Sequence, residues 1–118
     1  MKLLTSEIKE RLLENGRQQQ PVRGTHDEID FCPVVKLFTP DAGCTWLLTE
    51  IDPEDPDIAF GLCDLGMGFP ELGSVSLTEL ATVRGGLGLP VERDLHFQAK
   101  KPLSAYAAEA SSSGHIRT

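Results

Sequence analysis

The sequence lacks paired cysteines and long apolar runs, and each absence excludes a class of protein. Its three cysteines, Cys32, Cys44 and Cys63, are odd in number and widely spaced, which excludes a disulfide framework and a zinc knuckle. We expect each to be a small buried side chain, because its neighbours are apolar. No run approaches the roughly eighteen apolar residues of a membrane-spanning helix. Charged residues from Glu7 onwards interrupt the apolar start, so the sequence predicts a cytoplasmic protein that does not contact a membrane.

Basic residues are also scarce. The chain has 11 Lys+Arg against 18 Asp+Glu, a formal net charge of -7. Direct binding to nucleic acid is therefore disfavoured, because phosphate recognition needs a clustered basic face. The stretch 51–80 contains seven acidic residues and no basic one, whereas 81–118 is net basic. The acidic character of the protein is concentrated in 51–80.

Recognisable catalytic motifs are missing as well. The glycine-rich run 61–68 resembles a phosphate-binding loop, but no Lys-Ser or Lys-Thr follows it, and Pro70 stands where a helix would have to open. Neither Gly-x-Ser-x-Gly nor His-Glu-x-x-His occurs. The sequence therefore predicts no catalytic residue, no metal ligand and no cofactor.

What is present predicts one folded domain. A length of 118 residues with 40% hydrophobic residues is typical of a single globular unit. Helices are expected from Thr5 or Ser6 to Asn15-Gly16, from a capping box at Ser76 and Glu79 through Arg84, and from Pro102 to Ala110; strands are expected at 34–38, 44–51, 58–65, 71–75 and 90–97. This order predicts an α+β fold, a mostly antiparallel sheet of about five strands with two to three helices packed on it. Residues 1–110 should form the domain, with a surface loop at 17–30 and a flexible tail at 111–118.

The acidic loop after the second strand is the first candidate site. Asp52, Glu54, Asp55 and Asp57 alternate with two prolines, which hold the charges outward. With Asp64 they form a predicted surface for a protein partner that has a basic face. A solvated turn has the same composition, and an acidic decoy that mimics nucleic acid and inhibits a host defence protein is a further alternative.

A second candidate lies on the predicted strand 90–97. Glu92, Asp94 and His96 occupy alternate positions, so a strand would place them on one face. Two carboxylates beside an imidazole could hold a metal or perform acid–base chemistry, which would make the protein a small metal- or ligand-dependent enzyme. The solvated face of an ordinary antiparallel strand has the same pattern.

Several segments resemble one bacterial domain family of unknown function. They are 1–5, 33–41, 46–50 with 52–53, 59–66, 70–73 and 92–97, and the likeness extends over most of the chain except the loop 17–25 and the serine-rich tail. The resemblance implies a small cytoplasmic protein, often encoded on plasmids and integrative mobile elements. It implies no activity, and it carries no catalytic residue over to this sequence. We therefore interpret the chain as a non-enzymatic protein-interaction module and a mobile-element accessory protein, with its oligomeric state left open.

Overall fold

The computed structural model describes residues 3–118. In chain order the elements are helix α1 (Ser6–Gln19), strands β1 (Val35–Phe38), β2 (Thr45–Ile51), β3 (Ile58–Asp64) and β4 (Glu71–Ser76), helix α2 (Leu77–Leu80), strand β5 (Glu92–Arg93) and helix α3 (Leu103–Ser113). The strands form one antiparallel sheet in the order β4-β3-β2-β1-β5. The predicted α+β fold is confirmed.

Helix α1 begins where the sequence predicts and ends later. The Thr5 hydroxyl accepts a hydrogen bond from the Ile8 amide at 3.1 Å, which caps the first turn. Asn15 and Gly16 do not end the helix, because both face β2: Asn15 Nδ2 donates to the Thr49 carbonyl at 2.9 Å, and Gly16 packs on the backbone of Ile51. The helix continues to Gln19 and then into a 3-10 turn (Gln20–Val22). The segment expected as a loop from residue 17 is irregular only from residue 23.

The sheet is covered on both faces, which gives three layers. Helices α1 and α2 cover one face, around Leu12, Leu48 and Leu80. Helix α3 covers the other face, where Tyr106 and Ala110 pack against Leu47 and Leu62. Strand β2 is therefore buried along both faces for nearly its whole length. It does not show the alternation of buried and exposed residues that is typical of a strand with one face in water.

Strand β5 and helix α2 are shorter than the sequence predicts. The Asp94 side chain accepts from the His96 amide at 2.9 Å, and this turn ends the strand after Arg93. Ser76 caps α2 by accepting from the Glu79 amide, but the helix stops at Leu80, and the chain runs on irregularly to residue 90.

Two smaller expectations also change. Helix α3 extends through Ser113 and ends at Gly114 (φ 82°), so the segment expected as a tail begins inside the helix. Cys32 is exposed, so its expected burial is wrong. Cys44 and Cys63 are partly buried and pack against the core on the α1 face.

Because the strands are antiparallel, the turns between them lie at two opposite ends of the sheet. The β1–β2 turn (39–44) and the β3–β4 turn (65–70) lie at one end, and the β2–β3 turn (52–57) lies at the other. The segment 81–90 leaves α2 and returns to the first end, where Asp41 Oδ2 accepts from the amides of Leu87 at 2.7 Å and Leu89 at 3.2 Å.

Candidate functional site

The predicted acidic loop is the β2–β3 turn, and its carboxylates largely shape that turn. Asp52 Oδ1 accepts from the Glu54 amide at 2.9 Å, and Asp55 Oδ1 accepts from the Asp57 amide at 3.3 Å. Glu54 and Asp55 are exposed, whereas Asp52 and Asp57 are half-buried. Two of the four acids are thus exposed to solvent.

Asp57 and Asp64 accept hydrogen bonds from other segments of the protein and hold those segments in place. Asp57 accepts from the Ser76 hydroxyl at 2.6 Å, the Thr78 hydroxyl at 2.6 Å and the Thr78 amide at 2.9 Å, and these bonds, the one from Ser76 first, hold its pKa below the usual range. Asp64 is 3% exposed and accepts from the amides of Gly66 and Ile116. Strand β3 separates the two carboxylates by about 20 Å, so the five acids of the predicted surface do not form one patch.

The expected juxtaposition of Glu92, Asp94 and His96 is wrong, because the strand ends before Asp94. Glu92 lines a groove beside the start of α1, whereas Asp94 and His96 line a separate pocket beside α3. Asp94 Oδ2 lies 3.6 Å from Lys36 Nζ. Within residues 3–118, no three His, Cys, Asp or Glu side chains lie close enough together to hold a metal ion.

Sequence reasoning missed an apolar surface at the end of the sheet opposite the acidic turn. Phe69 is 81% exposed, Leu87 82% and Met67 74%, although all three are large apolar side chains. We call this surface the apolar loop end, and it consists of Leu65, Met67, Phe69, Leu72, Leu87 and Leu89. Two further large apolar residues of the described chain are exposed outside it, Ile29 and Leu95.

The β1–β2 turn (39–44) contacts both loops of the apolar loop end and holds them in place. Gly66 packs against the backbone of Gly43, so close that a Cβ there would lie 3.2 Å from the Gly43 carbonyl oxygen. The second loop is tied through Asp41, whose other oxygen, Oδ1, is buried without a hydrogen-bond partner in the described chain. The exposed side chains therefore project from backbone that is fixed at several points.

A repeated pattern in the sequence could have revealed this surface. Residues 66–70 read Gly-Met-Gly-Phe-Pro and residues 86–90 read Gly-Leu-Gly-Leu-Pro. Turns normally carry polar residues between their glycines, yet both of these alternate glycine with a large apolar side chain. Gly66, Gly68 and Gly88 have positive φ, so the glycines make the turns while the apolar residues between them point outward.

Glu50 is a buried carboxylate that sequence reasoning did not single out. It is 3% exposed and accepts from Arg23 Nη2 at 3.0 Å and from Gln19 Nε2 at 3.4 Å. Gln19 also exchanges two hydrogen bonds with the backbone of Ile29, which fastens the 23–30 loop to α1. The arrangement is structural, since each charged atom has its partner within the chain.

Comparison with known proteins identifies one family. A family profile described as "Protein of unknown function (DUF2958)" matches residues 3–117. No curated protein and no solved structure matches the chain. None of the helices between residues 3 and 118 combines the length and apolar character needed to cross a bilayer.

Proposed function

We propose, from the premise that this chain belongs to the DUF2958 family of proteins of unknown function, that it is a non-enzymatic protein-interaction module. Its contact surface is the apolar loop end. The observation that carries the proposal is the clustering of exposed apolar side chains: six of the eight large ones in the described chain lie at one end of the sheet, five on neighbouring turns and Leu72 at the start of β4.

The energetics of exposed apolar surface support this role. Each large apolar side chain left in water forgoes about 1.5–3 kcal/mol that burial would supply. Large contiguous exposed apolar patches are unusual on monomeric proteins and mark interaction sites. The loops at 65–70 and 85–90 are also fixed by Gly43 and Asp41, so a partner would not have to order them.

The composition of the two loops defines the chemistry of the partner. Residues 65–70 and 85–90 contain no charged side chain. The partner would therefore offer an apolar groove that takes Phe69, Met67 and Leu87 as anchors. Such an interface depends on burial, so its affinity should vary little with salt, unlike that of an interface built on Glu54 and Asp55.

The cellular setting belongs to the same proposal. The segments that resemble the bacterial family support a small cytoplasmic protein that accompanies a plasmid or integrative element. The acidic turn lies at the opposite end of the sheet, so Glu54 and Asp55 do not belong to this contact surface.

Capture of a partner by matched variants tests the proposal. We expect that Phe69→Ser with Leu87→Ser removes a partner which the parent captures from a lysate of the source cells at both low and moderate salt. The matched control, Leu95→Ser with Ile29→Ser, changes two exposed apolar residues outside the apolar loop end and should retain the partner.

Two results would contradict the proposal. Equal loss in both apolar variants would indicate non-specific adhesion. Loss confined to Glu54→Gln with Asp55→Asn, with a steep fall at moderate salt, would place the interface on the acidic turn instead. Melting temperatures of all the variants should stay near that of the parent, because every substituted side chain is exposed.

A further inference from the structure

A pocket beside α3 concentrates positive charge on an acidic protein. Four of the 11 Lys+Arg residues line it: Lys36, Lys100, Lys101 and Arg117. The cavity has a volume of about 500 Å³ and lies against the sheet face that α3 covers. We call it the basic pocket. It shares no residue with the apolar loop end, and the inference below is independent of the proposed function.

Two carboxylates in the basic pocket neutralise two of these cations. Glu109 Oε2 accepts from Lys101 Nζ at 2.6 Å, and Asp94 pairs with Lys36 at 3.6 Å. The hydrogen bond from Lys101, helped by the nearby charges of Lys101 and Arg117, lowers the pKa of Glu109, so this carboxylate is ionised at neutral pH. The side chains of Lys100 and Arg117 form no salt bridge within residues 3–118, so the lining side chains number four cations against two carboxylates.

Phe97 and Tyr106 add aromatic side chains to the lining of the pocket, beside Gln98 and Thr118. The rings of Phe97 and Tyr106 lie 6.5 Å apart between centroids, and the Tyr106 hydroxyl accepts from the Lys100 amide at 3.1 Å. Lys101 Nζ lies 4.7 Å from the centre of the Tyr106 ring. The hydrogen bond to Tyr106 fixes the backbone that carries Lys100 next to the aromatic residues.

We propose that the basic pocket binds a small phosphate monoester whose organic group contacts Phe97 and Tyr106. A monoester carries a charge near -2 at neutral pH, which matches the two unpaired cations. The guanidinium of Arg117 can contact two phosphate oxygens at once, and Lys100 supplies a point charge. A volume of 500 Å³ lies within the range of pockets that enclose small molecules.

Titration with phenyl phosphate, followed by amide NMR shifts on the intact chain, tests this assignment. We expect saturable shifts at residues 97–106 and 117. Binding should be several-fold tighter than that of inorganic phosphate, because the ring gains aromatic contact. Lys100→Gln with Arg117→Gln should weaken binding about tenfold or more. The control variant, Lys9→Gln with Arg11→Gln, makes the same change in net charge outside the basic pocket and should bind like the parent.

Three results would overturn the proposal. They are equal weakening in the two charge variants, equal affinity for inorganic and phenyl phosphate, and binding of a phosphoserine peptide without binding of phenyl phosphate. Phe69→Ser with Leu87→Ser should leave phenyl phosphate binding unchanged, so failure of this proposal is distinguishable from failure of the proposed interface.

Discussion

Single carboxylate side chains form hydrogen bonds that hold together segments far apart in sequence. Asp30 accepts from the amide and hydroxyl of Ser104 and so caps α3 from a loop that precedes the sheet. Asp41 accepts a hydrogen bond from the 81–90 segment, Asp57 accepts one from the start of α2, and Asp64 accepts one from the segment after α3. Much of the acidic excess is therefore structural. Because the folded pKa of Asp57 is depressed, its stabilising effect is complete above the unfolded carboxyl pKa and is lost as pH falls through the lower folded value.

The cysteines differ in environment, and their reactivity should differ accordingly. Burial raises the pKa of the Cys63 thiol to about 11, whereas Cys32 is exposed. Only the thiolate reacts with alkylating reagents, so at pH 8 Cys63 should react about a hundredfold more slowly than an ordinary exposed thiol, with Cys32 as the comparison within the chain.

Peptide mass spectrometry after timed treatment with iodoacetamide measures both rates in one sample. We expect label on Cys32 first, and label on Cys63 only when denaturant is added or the pH approaches 11. Cys32→Ser should leave the slow rate of Cys63 unchanged. Equal rates for the two cysteines in the folded protein would show that Cys63 is not protected by burial.

Helices and strands were predictable where local chemistry determined them. The Thr5 cap, the Ser76 cap and the four consecutive strands follow from capping residues, β-branched runs and turn residues, all of which act over a few positions. The true end of α1 and the burial of both faces of β2 depend on contacts made by residues far apart in sequence. Asn15-Gly16 looks like a helix end, but its contact with β2 needs a small residue at that point of the helix.

Gly16 permits α1 to lie directly on the backbone of β2. A Cβ at this position would lie 1.8 Å from the Ile51 carbonyl oxygen, a backbone atom that cannot rotate away. We therefore expect Gly16→Ala to destabilise the protein by about 1–3 kcal/mol, because the cost of overpacking exceeds the gain of alanine within a helix.

Chemical denaturation of the variant and of a matched control measures this cost. Gly73→Ala is the control, since a Cβ on Gly73 meets no atom within 4 Å. Its midpoint should remain close to that of the parent, while the midpoint for Gly16→Ala falls at an unchanged slope. A stability of Gly16→Ala equal to that of the control would mean that α1 can move away from β2 without loss.

Three chemically different surfaces lie in separate parts of the molecule. The acidic turn lies at one end of the sheet and the apolar loop end at the other, and the basic pocket lies beside α3. The sequence predicted the acidic turn, because its residues are consecutive. It did not predict the basic pocket, because Lys36 and Arg117 are 81 positions apart and only the fold brings them together. Asp94 and His96 line the basic pocket together with lysines, whereas Glu92 lines a separate groove.

Asp41 holds the 85–90 loop of the proposed interface, and its removal should loosen that loop without unfolding the protein. Asp41→Ala deletes the acceptor for the amides of Leu87 and Leu89, while Leu80 and Val91 on either side of the segment stay in the core. We expect exchange of the Leu87 and Leu89 amides to accelerate about tenfold or more, with a fall of only a few degrees in melting temperature. Partner capture should weaken, because binding would then have to order the loop.

Hydrogen exchange measured by NMR, with Asp27→Ala as the control, distinguishes the possible roles of this carboxylate. Asp27 is exposed, and its side chain makes no hydrogen bond within residues 3–118, so its removal should change neither exchange nor capture. Unchanged exchange in Asp41→Ala would mean that the glycine-rich turn holds its own shape. Faster exchange with undiminished capture would exclude Leu87 and Leu89 from the interface and leave the 65–70 loop as its anchor, since Gly43 holds that loop independently of Asp41.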